Sequence, residues 1–156
     1  MPVQTTYGAK HAIGFEGSIV DMSLKNIVTK IAEGDVKAGR AVVRGTGDNG
    51  ALLPSETGQE FVGITVATTA GQADCDDEFA YLENSAMNVL NNGLIYEICE
   101  DGCVPGDTVF FRHTVGTGTE IGAFRTDADT ATADEIVGAT WESTATAGNI
   151  AKIKLV

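Results

Sequence analysis

The stretch Cys103-Val-Pro-Gly-Asp-Thr-Val-Phe-Phe-Arg-His113 decides the fold. Pro105 presets φ for a turn and Gly106 frees the backbone behind it. Val109, Phe110 and Phe111 then supply strand-forming, core-filling bulk. The chain uses the same grammar earlier, in Val36-Lys-Ala-Gly-Arg-Ala-Val-Val-Arg44, where Gly39 stands for Gly106 and Val42 for Val109. A second echo lies downstream of each copy: Phe61-Val-Gly-Ile-Thr65 and Ile136-Val-Gly-Ala-Thr140. Two halves built alike predict an all-β body with little helix, either an antiparallel β-barrel or a sandwich of jelly-roll type. A single β domain is expected over 18–156, with half-repeats at 18–78 and 79–156 and an extended N-terminal arm over 1–17.

Outward from these anchors, most segments read as strands. Ser18–Glu33 is ambiguous, because Leu24, Ile27, Val28 and Ile31 fall at helical spacing while Asn26-Ile-Val-Thr-Lys-Ile31 is rich in β-branched residues. The internal echo favours strand: Ile27–Ala32 precedes Glu33-Gly34 as Ile95–Cys99 precedes Asp101-Gly102. Asn91-Asn-Gly93 is the composition of a hairpin turn, with Gly93–Cys99 as the return strand. The last segment, Ile150-Ala-Lys-Ile-Lys-Leu-Val156, alternates Ile153 and Leu155 with Lys152 and Lys154, the pattern of a half-buried terminal strand.

The chain has 156 residues and a formal charge of −12, from 10 basic and 22 acidic residues. Residues 1–44 hold six basic and four acidic side chains, net +2, so the remainder carries −14. Surfaces that track phosphate or anionic lipid need clustered cations, so neither nucleic acid nor a membrane is expected as a partner. No hydrophobic leader or spanning run is present, which predicts a soluble protein made and assembled in a reducing cytoplasm. The odd cysteine count, Cys75, Cys99 and Cys103, fits no closed disulfide framework.

Motifs for chemistry fail one by one. Gly45-Thr-Gly-Asp-Asn-Gly50 has the letters of a dinucleotide fingerprint, but Pro54 leaves no room for the helix that would hold pyrophosphate. Asp74-Cys-Asp-Asp-Glu78 and Asp127-Ala-Asp129 read as solvated acidic loops, the second lacking the central glycine and terminal glutamate of a calcium loop. Cys99 and Cys103 form at most half a zinc site. His11 and His113 are the only imidazoles, and neither stands in a nucleophile–base context. No catalytic residue, cofactor or metal is expected.

Val3-Gln-Thr-Thr-Tyr7, Glu16-Gly17, Gly39-Arg-Ala-Val42, Phe61-Val-Gly-Ile-Thr65, Tyr81-Leu-Glu-Asn84 and Val104-Pro-Gly-Asp107 occur in order along the chain. They end in Val137-Gly-Ala-Thr-Trp141, Ala147-Gly-Asn-Ile-Ala151 and Ile153-Lys-Leu155. In that order and spacing the chain resembles the structural cement, or capsid decoration, proteins of tailed-phage heads. The resemblance implies a β-rich virion protein that assembles as a dimer or trimer on the outer capsid surface and bridges neighbouring major capsid subunits. The competing classes are a carbohydrate- or host-surface-binding β module and a small β-barrel enzyme. Charge asymmetry adds an expectation: the mildly basic segment docks on the shell and the acidic remainder faces solvent. The candidate capsid or oligomer contacts are Gln4, Thr5, Thr6, Tyr7, Lys10 and Phe15 in the arm, with Trp141 as either an interface or a core anchor.

Overall fold

Every regular element in the computed structural model is a strand, among the residues it describes: 14–68, 72–73 and 79–156. In chain order these are β1 (Ser18–Ile19), β2 (Asn26–Ala32), β3 (Val36–Lys37), β4 (Ala41–Arg44), β5 (Gly50–Leu52), β6 (Phe61–Thr65) and β7 (Gln72–Ala73). They continue with β8 (Phe79–Tyr81), β9 (Ala86–Cys99), β10 (Thr108–Arg112), β11 (Phe124–Arg125), β12 (Ala133–Trp141) and β13 (Asn149–Leu155). The all-β expectation holds, and Asn26–Ala32 is extended, as its β-branched run demands.

The strands close on themselves as barrels. One ring runs β9–β2–β5–β4–β6 and returns to β9; a second runs β9–β13–β12–β10–β11 and also returns to β9. The two rings share a plan. Each has one parallel contact, Ile31 beside Gly50 in the first and Phe124 beside Cys99 in the second. In each, the strand after the Gly39 or Gly106 turn pairs antiparallel with the strand carrying the Val-Gly echo. Both pairings carry a register shift at the matched place, between Val42 and Val43 and between Thr108 and Phe110. Gly39 and Gly106 sit at φ of 71° and 97°, a left-handed turn geometry that a Cβ resists. The repeated words in the sequence therefore mark repeated backbone geometry. Ring closure also removes most of the unpaired edges that an open sheet would leave.

One expected turn is absent. Asn91-Asn92-Gly93 lies inside β9, which runs through all 14 of its residues without reversing. The physical reason is that β9 is paired along its length: Ala86–Asn92 with β2 and β6, then Gly93–Cys99 with β13. Gly93 does take positive φ, 129°, but uses it to pass Lys25, whose Cβ would lie 2.8 Å from an added methyl. The glycine marks the crossing from one ring to the other.

The main core threads both rings. Val43, Ile64 and Leu90 from the first meet Ile95, Val109, Phe111, Phe124, Trp141 and Ile153 from the second. Phe61 and Phe111 rings lie 5.6 Å apart across that junction. A smaller cluster of Val36, Val42, Ala51, Tyr81, Met87 and Val89 lies beside the three-stranded sheet β3–β8–β7. On β13, Ile153 and Leu155 are buried while Lys154 faces water, as the alternation predicts.

Candidate functional site

Charged side chains concentrate in a groove of about 560 Å³ lined by Arg40, Glu100, Arg112, Glu120, Arg125 and Asp129, among others. Its cations are already paired. Arg112 is buried at the end of β10 and donates to Glu100 (2.8 Å), Asp129 (2.8 Å) and Thr132 (2.9 Å). Arg125 donates to Asp127 at 2.7 Å and Asp129 at 3.0 Å. The loop that superficially matched a calcium site is thus folded over two guanidinium groups. The hydrogen bond from Arg112 holds the Asp129 carboxyl below its usual range. Arg40 grips Glu16 on one side and Glu120 on the other, which ties the start of the body to the second ring.

Beneath that clamp lies Glu97, on β9 and fully buried. Both of its carboxylate oxygens lack a hydrogen-bond partner. An added methyl at Gly39 would come within 2.7 Å of Glu97 Oε2 and 2.3 Å of Glu16 Cγ, so the Gly39 turn closes directly over the two acids. Burial, with the charge of Glu16 second, raises the Glu97 carboxyl well above its ordinary value.

None of this assembles a reacting centre. His113 is buried, with Nδ1 2.9 Å from Thr114 Oγ1 and Nε2 3.7 Å from Asp134 Oδ1, too far for a hydrogen bond. Asp134 instead accepts from Thr57 Oγ1 (2.9 Å) and Gly58 N (2.7 Å), latching the loop before β6 onto β12. His11 lies outside the described residues. Cys99 and Cys103 are free and buried, and burial pushes both thiols upward, away from thiolate reactivity. In the Gly45–Gly50 loop the backbone N–H groups of Thr46 and Gly47 donate to the Glu33 carboxylate at 2.9 and 2.8 Å. A carboxylate stands where the fingerprint would need phosphate. Among the described residues, no group of three or more acidic, histidine or cysteine side chains is placed to hold a metal.

The expected contact residues separate. Gln4, Thr5, Thr6, Tyr7 and Lys10 lie outside the described residues, as does the acidic loop at 74–78. Phe15 is 64% exposed. Trp141 has no exposed surface and packs in the main core, its Nε1 3.4 Å from the Arg125 carbonyl. It is a core anchor, unavailable to a partner. Sequence reasoning missed another apolar group, Met22, Leu24, Ile27 and Ile31, with exposures of 91, 95, 41 and 38%. The helical spacing of the last three was their only signal. On a strand and its leading loop, that spacing leaves them facing water.

Residues 3–156 match the family described as structural cement protein (E217 gp24/Pam3 gp6). Among solved structures, a chain from "The capsid of Myoviridae Phage XM1" superposes with a TM-score of 0.74 at 13% identity, covering 99% of this chain and 98% of that one. A second, "The crystal structure of head fiber gp8.5 N base in bacteriophage phi29", gives a TM-score of 0.44 at 16% identity, covering 85% of this chain and 95% of that one. No curated protein matches the chain. The capsid chain shares the fold, and the family match spans both rings. This chain belongs to the phage structural cement protein family, and is a structural protein rather than an enzyme.

Proposed function

We propose that this protein binds the outer surface of an assembled phage head as a homo-oligomer and bridges neighbouring major capsid subunits. The observation that carries the reading is the family match over residues 3–156. Its physics fits the composition. A protein that binds only the assembled shell stabilises that state by mass action and needs no chemistry. Repetition over the lattice lets modest contacts act together. The acidic surface keeps free copies soluble and apart until they meet the shell.

The test is co-sedimentation with empty capsids, followed by a heat challenge with and without the protein. Capsids carrying it should withstand a higher temperature; a protein left in the supernatant overturns the reading. Deleting residues 2–10 should abolish capsid binding while the circular dichroism of the body stays unchanged. Undiminished binding by the truncated chain rejects the arm as the docking element.

A further inference from the structure

Each described arginine, and Lys37, has a carboxylate within ion-pair distance. Among the described residues, Lys25, Lys152 and Lys154 have none; Lys30 also has none but lies in the field of Glu60. The first three converge at the passage between the rings. After β1 the chain touches β9 at Leu94, where Val20 N donates to Leu94 O at 3.2 Å, and it returns to β9 at Asn26, opposite Asn92. The excursion between them, 21–25, packs Lys25 against Gly93. On β13, Lys154 lies opposite Leu94 and Lys152 opposite Tyr96, alternating with the buried Ile153 and Leu155. Lys152 Nζ stands 5.8 Å from the centre of the Tyr96 ring. Both Lys25 and Lys152 act electrostatically on Asp21, which sets the excursion beside β13.

The tip of the excursion is apolar. Met22 and Leu24 are 91 and 95% exposed, the two highest values among the exposed large hydrophobic residues described. Lys25 Nζ meets Met22 Sδ at 3.9 Å, and Ser23 N bonds the Asp21 carboxylate at 2.8 Å, so a local turn holds the tip outward. Apolar side chains grouped on one turn and rimmed by charge are the pattern of a contact surface. The arm leaves the body at the same place: a methyl added to Gly14 would lie 2.4 Å from the Tyr96 ring, and the exposed Phe15 follows it.

The geometry points to this face as a docking surface for a capsid subunit that presents an apolar hollow edged with carboxylates. Met22 and Leu24 enter the hollow, and Lys25, Lys152 and Lys154 meet its rim. Those lysines against Asp21 give the face a net +2 on a chain of −12, so it draws an acidic surface that the rest of the molecule repels. Continuity with the arm, the docking element of the proposed function, selects the capsid subunit over a second copy or a lipid surface. The inference rests on the capsid-binding reading and deepens it by naming the face and the chemistry of its partner.

The experiment is co-sedimentation of the full chain with empty capsids over a concentration series. Met22→Ser with Leu24→Ser, and separately Lys152→Glu with Lys154→Glu, should each weaken binding at least about tenfold. Val104→Ser with Val115→Ser, at apolar residues 52 and 56% exposed, should bind as the wild type does. Circular dichroism and solution mass should match the wild type throughout, because none of the changed side chains is buried. Added salt should weaken the wild type and leave the residual binding of the glutamate variant unmoved. Wild type and variants that bind shells equally would overturn the face and leave the cement reading standing. A wild type that ignores shells would overturn both. Capture by phosphatidylserine vesicles that the glutamate changes abolish would assign the face to a membrane, and a solution mass that falls in the variants alone would assign it to a second copy; either overturns the capsid partner.

Discussion

Trp141→Ala is expected to lower the unfolding free energy by about 3–5 kcal/mol, the range for deleting a large buried aromatic. For a domain of this size that corresponds to a fall in Tm of roughly 6–20 °C. The side chain has no exposed surface, and it packs with Phe111, Phe124 and Ile153 at the centre of the second ring. The last residue of β12, it pairs with Ile153 on β13. Its backbone N–H bonds Asp107 and its carbonyl accepts from Gly106 N, so the turn that opens the deciding stretch is held against it. Removing the indole leaves a cavity under that turn, which the closed ring resists filling. Phe15→Ala is the control, because a side chain 64% exposed contributes little to folding. Thermal unfolding of both variants checks the assignment. A Trp141 variant as stable as the wild type, or a Phe15 variant equally weakened, would reverse the roles assigned to the two aromatics.

That contrast also shows what was legible in the chain. Alternation at Ile153 and Leu155 placed these residues inward correctly, because a period-two pattern maps directly onto a sheet with one buried face. The duplicated turn-and-strand words were legible for the same reason: Gly39 and Gly106 meet one backbone requirement twice. Asn91-Asn92-Gly93 misled because the same residues serve a reversal or a passage between rings, and only the partners along β9 distinguish the two. Arg112 shows a second limit. It shares its strand parity with Thr108 and Phe110, yet it is buried because Glu100 and Asp129, remote in sequence, supply its counter-charges. Glu97 likewise looked like one polar residue in a strand that alternates, and nothing local announces that its oxygens go unpartnered.

Glu97 carries the second large expected effect, a stability that falls as pH rises. Its folded carboxyl is raised well above the ordinary value of 4.5, with burial the leading cause and the charge of Glu16 next. Arg40 pulls the other way but is already shared between Glu16 and Glu120. The Gly17 N–H also pulls the other way, yet it is donated to Tyr96 O at 2.9 Å. The folded state therefore holds a proton that the unfolded chain releases near pH 4.5. The contribution is fully present below that pH and is lost progressively up to the folded pKa, at about 1.4 kcal/mol per pH unit. Glu120 and Asp129 have depressed carboxyls, so their contributions vanish in the opposite direction, as pH falls. Glu97→Gln replaces the acid with a neutral group of the same shape and leaves those other carboxyls in place. The difference between the two stability curves thus isolates one residue. At pH 4 the variant and wild type should unfold at similar denaturant concentrations. Between pH 5 and 7 the variant should pull ahead of the wild type, with the gap in midpoint and in Tm widening as pH rises. Parallel curves across that interval would mean that Glu97 is ionised in the folded protein and finds partners beneath the Gly39 turn.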